Sequence, residues 1–202
     1  MAYRSDAYSG GFAEPVFDSQ SVFRRLMDAM ARPGTIADIA ATAGPPSPMS
    51  AGAGGVALAL CDHDTLVHLS PAMIDAGIQA WLAFHTGALV AGERSEAAFA
   101  FLEQGAQLPP LSTFSTGTQE YPDRSTTIVF DVPDLGGGDA FVLTGPGIEN
   151  THEIAPRGLP SHFARMWAEN TALFPRGVDL ILTSGRHALC LPRTTRINRK
   201  EG

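Results

Sequence analysis

The chain has 202 residues, 44% of them hydrophobic, which is typical of one compact globular domain. Its formal net charge of −7 argues against non-specific binding to nucleic acid or to an anionic membrane, because both require a surplus of positive charge. No apolar run is longer than that at 56–61, which is too short to cross a bilayer, and the start of the chain lacks the apolar segment of a signal peptide. We therefore expect a cytoplasmic protein without a nucleic-acid or membrane partner.

Lysine and cysteine usage excludes further classes of protein. The only lysine among the 14 basic residues is Lys200, near the end of the chain. A Walker-type phosphate loop needs a lysine after its glycines, and pyridoxal phosphate chemistry needs a lysine in a pocket. Cys61 and Cys190 each lie in an apolar stretch without metal-ligand spacing, so we predict two reduced, buried thiols rather than a disulfide.

The first part of the chain is predicted as an irregular arm over 1–17 and an amphipathic helix over 19–31. A Pro-Gly pair ends this helix, and Asp18 or Ser19 is expected to cap its start. A short strand at 35–39 and a surface loop or linker over 42–55 follow. The predicted buried face of the helix consists of apolar residues at helical spacing: Val22, Phe23, Leu26, Met27 and Met30.

The middle of the chain is predicted to alternate short helices and strands. A buried helix over 56–61 precedes a strand over 66–69, and Ser70-Pro71 begins a helix that ends near Phe84. Residues 89–90 and 98–102 are strand candidates, and 105–118 is a loop. The predicted buried face of the second helix is again apolar: Met73, Ile74, Ile78, Trp81 and Leu82.

The last third contains four predicted strands, one amphipathic helix over 160–174 and a polar tail over 197–202. The strands cover 126–132, 140–144, 178–183 and 187–191, and Ser184-Gly185-Arg186 is typical of a hairpin. Hairpins interleaved with helices predict an α/β domain spanning 1–202, with a mixed sheet covered by helices.

Acidic and histidine residues cluster between 62 and 68. Asp62, His63, Asp64 and His68 could bind a metal if His85 or His152 joined them, but the usual ligand spacings are missing. We favour the alternative that the aspartates cap a turn. His85, which follows a helix, could act as a general base, but an interaction with the helix C-terminus is favoured.

Three segments offer anion donors. Ser115-Thr116-Gly117-Thr118 and Gly145-Pro146-Gly147 could bind an anion through backbone N–H groups, although plain turns explain both. The segment 192–200 has four cations and no acid, and it is the best local candidate for anion binding or partner docking. A solvated tail is an equally favoured interpretation of the residues beyond Arg196.

Several short motifs in a fixed order resemble the PhnH family, a subunit family of the bacterial carbon–phosphorus lyase system for phosphonate use. Together they cover about residues 15–196. The motifs are Phe23-Arg24-Arg25-Leu26-Met27-Asp28-Ala29-Met30-Ala31-Arg32-Pro33-Gly34, Asp62-His63-Asp64-Thr65, Phe84-His85-Thr86, Ser115-Thr116-Gly117-Thr118, Leu143-Thr144-Gly145-Pro146-Gly147-Ile148, Phe174-Pro175-Arg176-Gly177-Val178-Asp179-Leu180-Ile181-Leu182-Thr183 and Pro192-Arg193-Thr194-Thr195.

The resemblance implies a three-layer αβα fold similar to the large domain of pyridoxal-phosphate-dependent transferases, without the cofactor. It also implies a homodimer that assembles with PhnG, PhnI and PhnJ subunits. That complex displaces adenine from ATP with an alkylphosphonate to give ribose 1-phosphonate 5-triphosphate, chemistry that the family assigns mainly to PhnI. This chain lacks the cysteine set that the radical subunit needs for an iron–sulfur cluster.

We therefore expect a non-catalytic subunit that supports a partner's active site, with no metal and no cofactor of its own. The family supplies no established catalytic residue, and Asp62, Asp64 and His85 are the candidates if this chain has a private active site. Thr116, Gly117 and Arg193 are the candidate anion donors. Two alternatives stay open: a module that binds a phosphonate or nucleotide through Arg193 and the 115–118 loop, and a metal hydrolase.

Overall fold

The computed structural model describes residues 8–39 and 43–200. Residues 1–7 of the predicted arm, residue 42 of the predicted loop and residues 201–202 of the predicted tail lie outside these ranges. The helices are α1 (Pro15–Ala31), α2 (Ala51–Leu60), α3 (Pro71–Asp75), α4 (Ile78–His85) and α5 (Phe163–Thr171). The strands are β1 (Ile36–Asp38), β2 (Leu66–Leu69), β3 (Leu89–Val90), β4 (Phe99–Leu102), β5 (Thr127–Asp131), β6 (Phe141–Thr144), β7 (His152–Ile154), β8 (Asp179–Ser184), β9 (His187–Leu191) and β10 (Arg196–Arg199).

Seven of these strands form a mixed sheet in the order β1-β9-β8-β5-β4-β2-β3. The five strands from β8 to β3 are parallel to one another. Strand β9 is antiparallel to both β8 and β1. A three-stranded antiparallel sheet, β10-β6-β7, lies apart from the main sheet.

Alternating side chains of the main strands build two hydrophobic clusters. In β5, Val129 packs with helices α1 to α4, whereas Ile128 and Phe130 pack with α5 and the small sheet. Ile181 of β8 belongs to the same cluster as Val129, whereas its neighbours Leu180 and Leu182 belong to the cluster that contains α5. The mixed α/β fold predicted from the sequence is thus confirmed, with helices on both faces as in a three-layer sandwich.

Helix α1 begins earlier and buries less than predicted. It begins at Pro15, because proline is favoured in the first helical turn, where no N–H partner is needed. Val22 and Leu26 are buried, but Phe23 and Met27 are 47% and 46% exposed. The prediction that these two side chains belong to the core is therefore wrong. The apolar residues of α1 cover more of its circumference than the part that packs against the rest of the protein.

Two further differences concern the helix predicted from Pro71 to Phe84 and the polar tail. Gly77, with a φ of +80°, separates α3 from α4, and Ile74 is exposed rather than buried. The expected polar tail instead forms β10, which pairs with β6 in register from Arg196 opposite Thr144. Only Ile197 of this strand is buried, so its sequence carries little strand signal.

Two fully buried tryptophans fix irregular segments to the core. The indole N–H of Trp81 donates to the carbonyl of Ser9 at 2.9 Å, and that of Trp167 donates to the carbonyl of Thr195 at 2.7 Å. Cys61 and Cys190 are free and buried, as predicted. No helix in the described part of the chain is long and apolar enough to cross a membrane.

Candidate functional site

The carboxylate of Asp62 stabilises the turn between α2 and β2, whereas that of Asp64 takes no part in the local hydrogen bonds. The Asp62 carboxylate accepts hydrogen bonds from the Asp64 N–H at 3.0 Å and from the Thr65 hydroxyl at 2.8 Å. These two donors, that of Thr65 first, lower the pKa of Asp62 below its usual range. The Nε2 atom of His63 lies 3.4 Å from the Asp64 carboxylate, and both side chains are exposed. The local hydrogen bonds therefore account for Asp62 as a turn residue without a ligand.

His85 ends α4 beneath the N-terminal arm. Its Nε2 lies 3.2 Å from the Ser9 carbonyl oxygen, and its ring lies against the Trp81 and Phe84 rings. Within residues 8–39 and 43–200, no hydrogen bond or ion pair joins His85 to Asp62 or Asp64. The same residues contain no group of three or more histidine, cysteine or carboxylate side chains that could hold a metal ion.

Arg193 clamps the connections around β8. Its guanidinium forms an ion pair with Asp179, donates to the Pro122 carbonyl at 2.7 Å and reaches the Ser125 hydroxyl. Its backbone N–H also donates to the Asp179 carboxylate at 2.7 Å. Only 13% of the Arg193 side chain and 20% of the Asp179 side chain are exposed. The donors of this arginine are therefore largely used within the protein.

Thr116 and Gly117 lie beside the groups that Arg193 binds. Thr116 forms an isolated antiparallel β-bridge with Ser125, and its carbonyl accepts a hydrogen bond from the Gly177 N–H at 2.9 Å. Gly117 has a φ of +71°, and a Cβ there would lie 2.8 Å from the Pro122 oxygen. The structure therefore brings the three predicted anion donors together around a closely packed loop.

The two predicted sets of site residues lie at one edge of the sheet but are separated. Asp62, Asp64 and His85 precede the parallel strands β2 and β3. Thr116, Gly117 and Arg193 surround the starts of β5 and β8, on the other side of β4. This edge is formed by the amino ends of the parallel strands, whereas ligands of open α/β sheets usually bind outside the carboxyl ends.

The carboxyl ends of the parallel strands hold a polar cluster that was not predicted from the sequence. Asp131, 3% exposed, ends β5 and accepts from the Ser50 N–H at 3.0 Å and from the hydroxyls of Ser50 and Thr183. Burial raises the pKa of Asp131 above its usual range, against these hydrogen bonds. Beside it, the Ser70 hydroxyl donates to Glu103. In the sequence, the position of Asp131 at the end of an apolar strand is the signal that could have predicted this cluster.

The turn Gly145-Pro146-Gly147 joins two other motifs. A Cβ at Gly147, where φ is +80°, would lie 2.1 Å from the carbonyl oxygen of Ala31 at the end of α1. A Cβ at Gly145 would lie 3.0 Å from the carbonyl oxygen of Thr194. Glycine is required because the turn fits between two backbones. Close packing therefore explains this motif without a phosphate.

Comparisons with known proteins agree on one family. The family model described as "Bacterial phosphonate metabolism protein (PhnH)" matches residues 10–198. The chain is 54% identical, over 99% of its length and 100% of the relative's, to the alpha-D-ribose 1-methylphosphonate 5-triphosphate synthase subunit PhnH of Rhizobium meliloti (strain 1021). It is 35% identical, over 90% of its length and 86% of the relative's, to HtxG of Stutzerimonas stutzeri, which is described as a C–P lyase subunit protein. The chain belongs to the PhnH family of bacterial phosphonate metabolism proteins.

Proposed function

We propose that this protein is a non-catalytic subunit of a complex that forms ribose 1-methylphosphonate 5-triphosphate from ATP and methylphosphonate, with release of adenine. The full-length similarity to a PhnH subunit of that synthase supports the place in the complex. We propose PhnG, PhnI and PhnJ as partners, a homodimer as the isolated form, and the cytoplasm as the location.

One observation carries the non-catalytic role: Asp62, His85 and Arg193, three of the candidate site residues, already make contacts within the protein. Asp62 caps its own turn, and His85 contacts the N-terminal arm. Arg193 neutralises Asp179 and ties down the carbonyl of Pro122. The use of Arg193 as an anion donor would leave the largely buried Asp179 carboxylate without its partner, which is unfavourable.

Adenine release from ATP and methylphosphonate tests this role. The protein alone is expected to release none, whereas the partner subunits should release adenine only when this chain is present. The His85→Ala and Asp64→Ala variants should support release as well as the wild type does, provided that they enter the complex equally well. Release by the isolated protein, or loss of release in a variant that still assembles, would contradict the non-catalytic role.

A further inference from the structure

One cation of the segment 192–200 has no counter-ion in the described part of the chain. Arg196 has no carboxylate partner among residues 8–39 and 43–200, and its side chain is exposed. The other three cations of the segment each pair with an acid: Arg193 with Asp179, Arg199 with Asp139 at 2.8 Å, and Lys200 with Glu153 at 2.9 Å. An arginine that remains free where its neighbours are neutralised is available for an external anion.

Arg196 lines an open cleft between the end of α5 and the start of β10. Its other lining residues are Pro146, Thr171, Phe174 and Thr194, none of which is acidic, and the cleft has a volume of about 240 Å³. A second cleft, along α5 and β10, also includes Arg196 and Thr171. The arginine can thus be reached from both sides.

The polar and apolar groups of the cleft are complementary to one kind of ligand. The Thr194 side chain makes no hydrogen bond within the described ranges, so its hydroxyl can donate to an anion, whereas the Thr171 hydroxyl already donates to the Trp167 carbonyl at 3.0 Å. Phe174 is 63% exposed and, with Pro146, supplies an apolar wall. A guanidinium fork beside a hydroxyl matches a phosphonate or phosphate group, and an exposed ring matches a small apolar or aromatic substituent.

We propose that this cleft binds a small organic phosphonate or phosphate monoester, with its oxyanion on Arg196 and Thr194 and its substituent on Phe174. The cleft is smaller than the roughly 300–1,000 Å³ of pockets that enclose drug-sized ligands, which favours a small ligand. This site goes beyond the proposed function, because a supporting subunit needs no ligand of its own.

Calorimetric titration of the purified protein with phenylphosphonate, methylphosphonate and inorganic phosphate at constant ionic strength tests the site. We expect saturable binding, tightest for phenylphosphonate. Arg196→Ala should weaken it at least about tenfold, because a charge-assisted hydrogen bond is lost. Arg196→Lys should recover only part of that loss, since lysine lacks the planar fork. Phe174→Ala should weaken the binding of phenylphosphonate more than that of methylphosphonate, because the larger substituent has more contact with the ring.

Arg199→Ala is the matched control, because it removes the same charge from the same strand. It should bind all three ligands as the wild type does. Non-saturable titrations, equal losses in Arg196→Ala and Arg199→Ala, or an unchanged affinity of Phe174→Ala for phenylphosphonate would overturn the proposal. None of these results bears on adenine release by the complex, so the site and the proposed function can fail separately.

Discussion

Replacement of Arg193 by alanine tests whether this residue stabilises the fold or binds an anionic ligand. The substitution leaves the Asp179 carboxylate, 20% exposed, without its ionic partner and also removes the bond to the Pro122 carbonyl. Loss of one partner from a fully buried ion pair costs about 3–5 kcal/mol. Because this pair keeps some contact with solvent, we expect Arg193→Ala to lower the free energy of unfolding by about 3 kcal/mol.

Urea denaturation and thermal melting measure this effect directly. For a chain of this size, about 3 kcal/mol corresponds to a fall in Tm of about 6–12 °C. Arg193→Lys should recover little, because an ammonium cannot reproduce the fork that spans Asp179 and Pro122. A double-mutant cycle with Asp179→Asn should give a coupling energy of about 2 kcal/mol.

A wild-type stability of Arg193→Ala would refute the stabilising role of this residue. If Arg193→Ala unfolded within about 0.5 kcal/mol of the wild type, as a surface substitution does, the guanidinium would not be holding the fold. A simultaneous loss of phosphonate binding would then assign Arg193 to a ligand, as in the alternative left open by the sequence.

Three other substitutions test features of the fold. Thr195→Val should raise the free energy of unfolding by about 1 kcal/mol in urea titrations, because it removes a fully buried hydroxyl that has no partner in the described chain. Gly147→Ala should lower the Tm through a loss of at least about 2 kcal/mol, because a Cβ at this positive φ would meet the Ala31 carbonyl oxygen. Because burial raises the pKa of Asp131, the native state retains a proton that the unfolded chain releases, and stability should fall as pH rises from about 4 through the native pKa. The Asp131→Asn variant should lack this part of the pH dependence in denaturation measured across pH.

Local patterns predicted the sheet because each buried strand is short and apolar. The strands at 66–69 and 89–90 occur where the sequence places them, and so does the 187–191 arm of the hairpin. Strand β10 was missed because its pairing with β6 depends on the backbone and on one buried side chain, Ile197. Likewise, the exposure of Phe23 could not be predicted, because it depends on which part of an apolar helix surface meets the sheet.

The candidate site was less predictable than the fold. The cap of Asp62 is local, so a turn could be inferred from four adjacent residues. The partners of Arg193 come from segments far apart in the chain, and Ser50 and Asp131 are separated by 81 positions. Such contacts depend on tertiary packing, which a single sequence does not display.

The contact between Asp131 and the start of α2 has a consequence for phosphorylated ligands. The N-terminus of a helix that follows a sheet edge attracts phosphate, because its free N–H groups and its dipole favour negative charge. Here the glycine-rich start of α2 already has a carboxyl group as its partner, since Asp131 accepts from the backbone N–H and the hydroxyl of Ser50. The Asp131 side chain occupies the position that a ligand phosphate would take, so a phosphoryl group would have to displace it. We therefore expect a phosphonate or nucleotide that binds this subunit to use another surface.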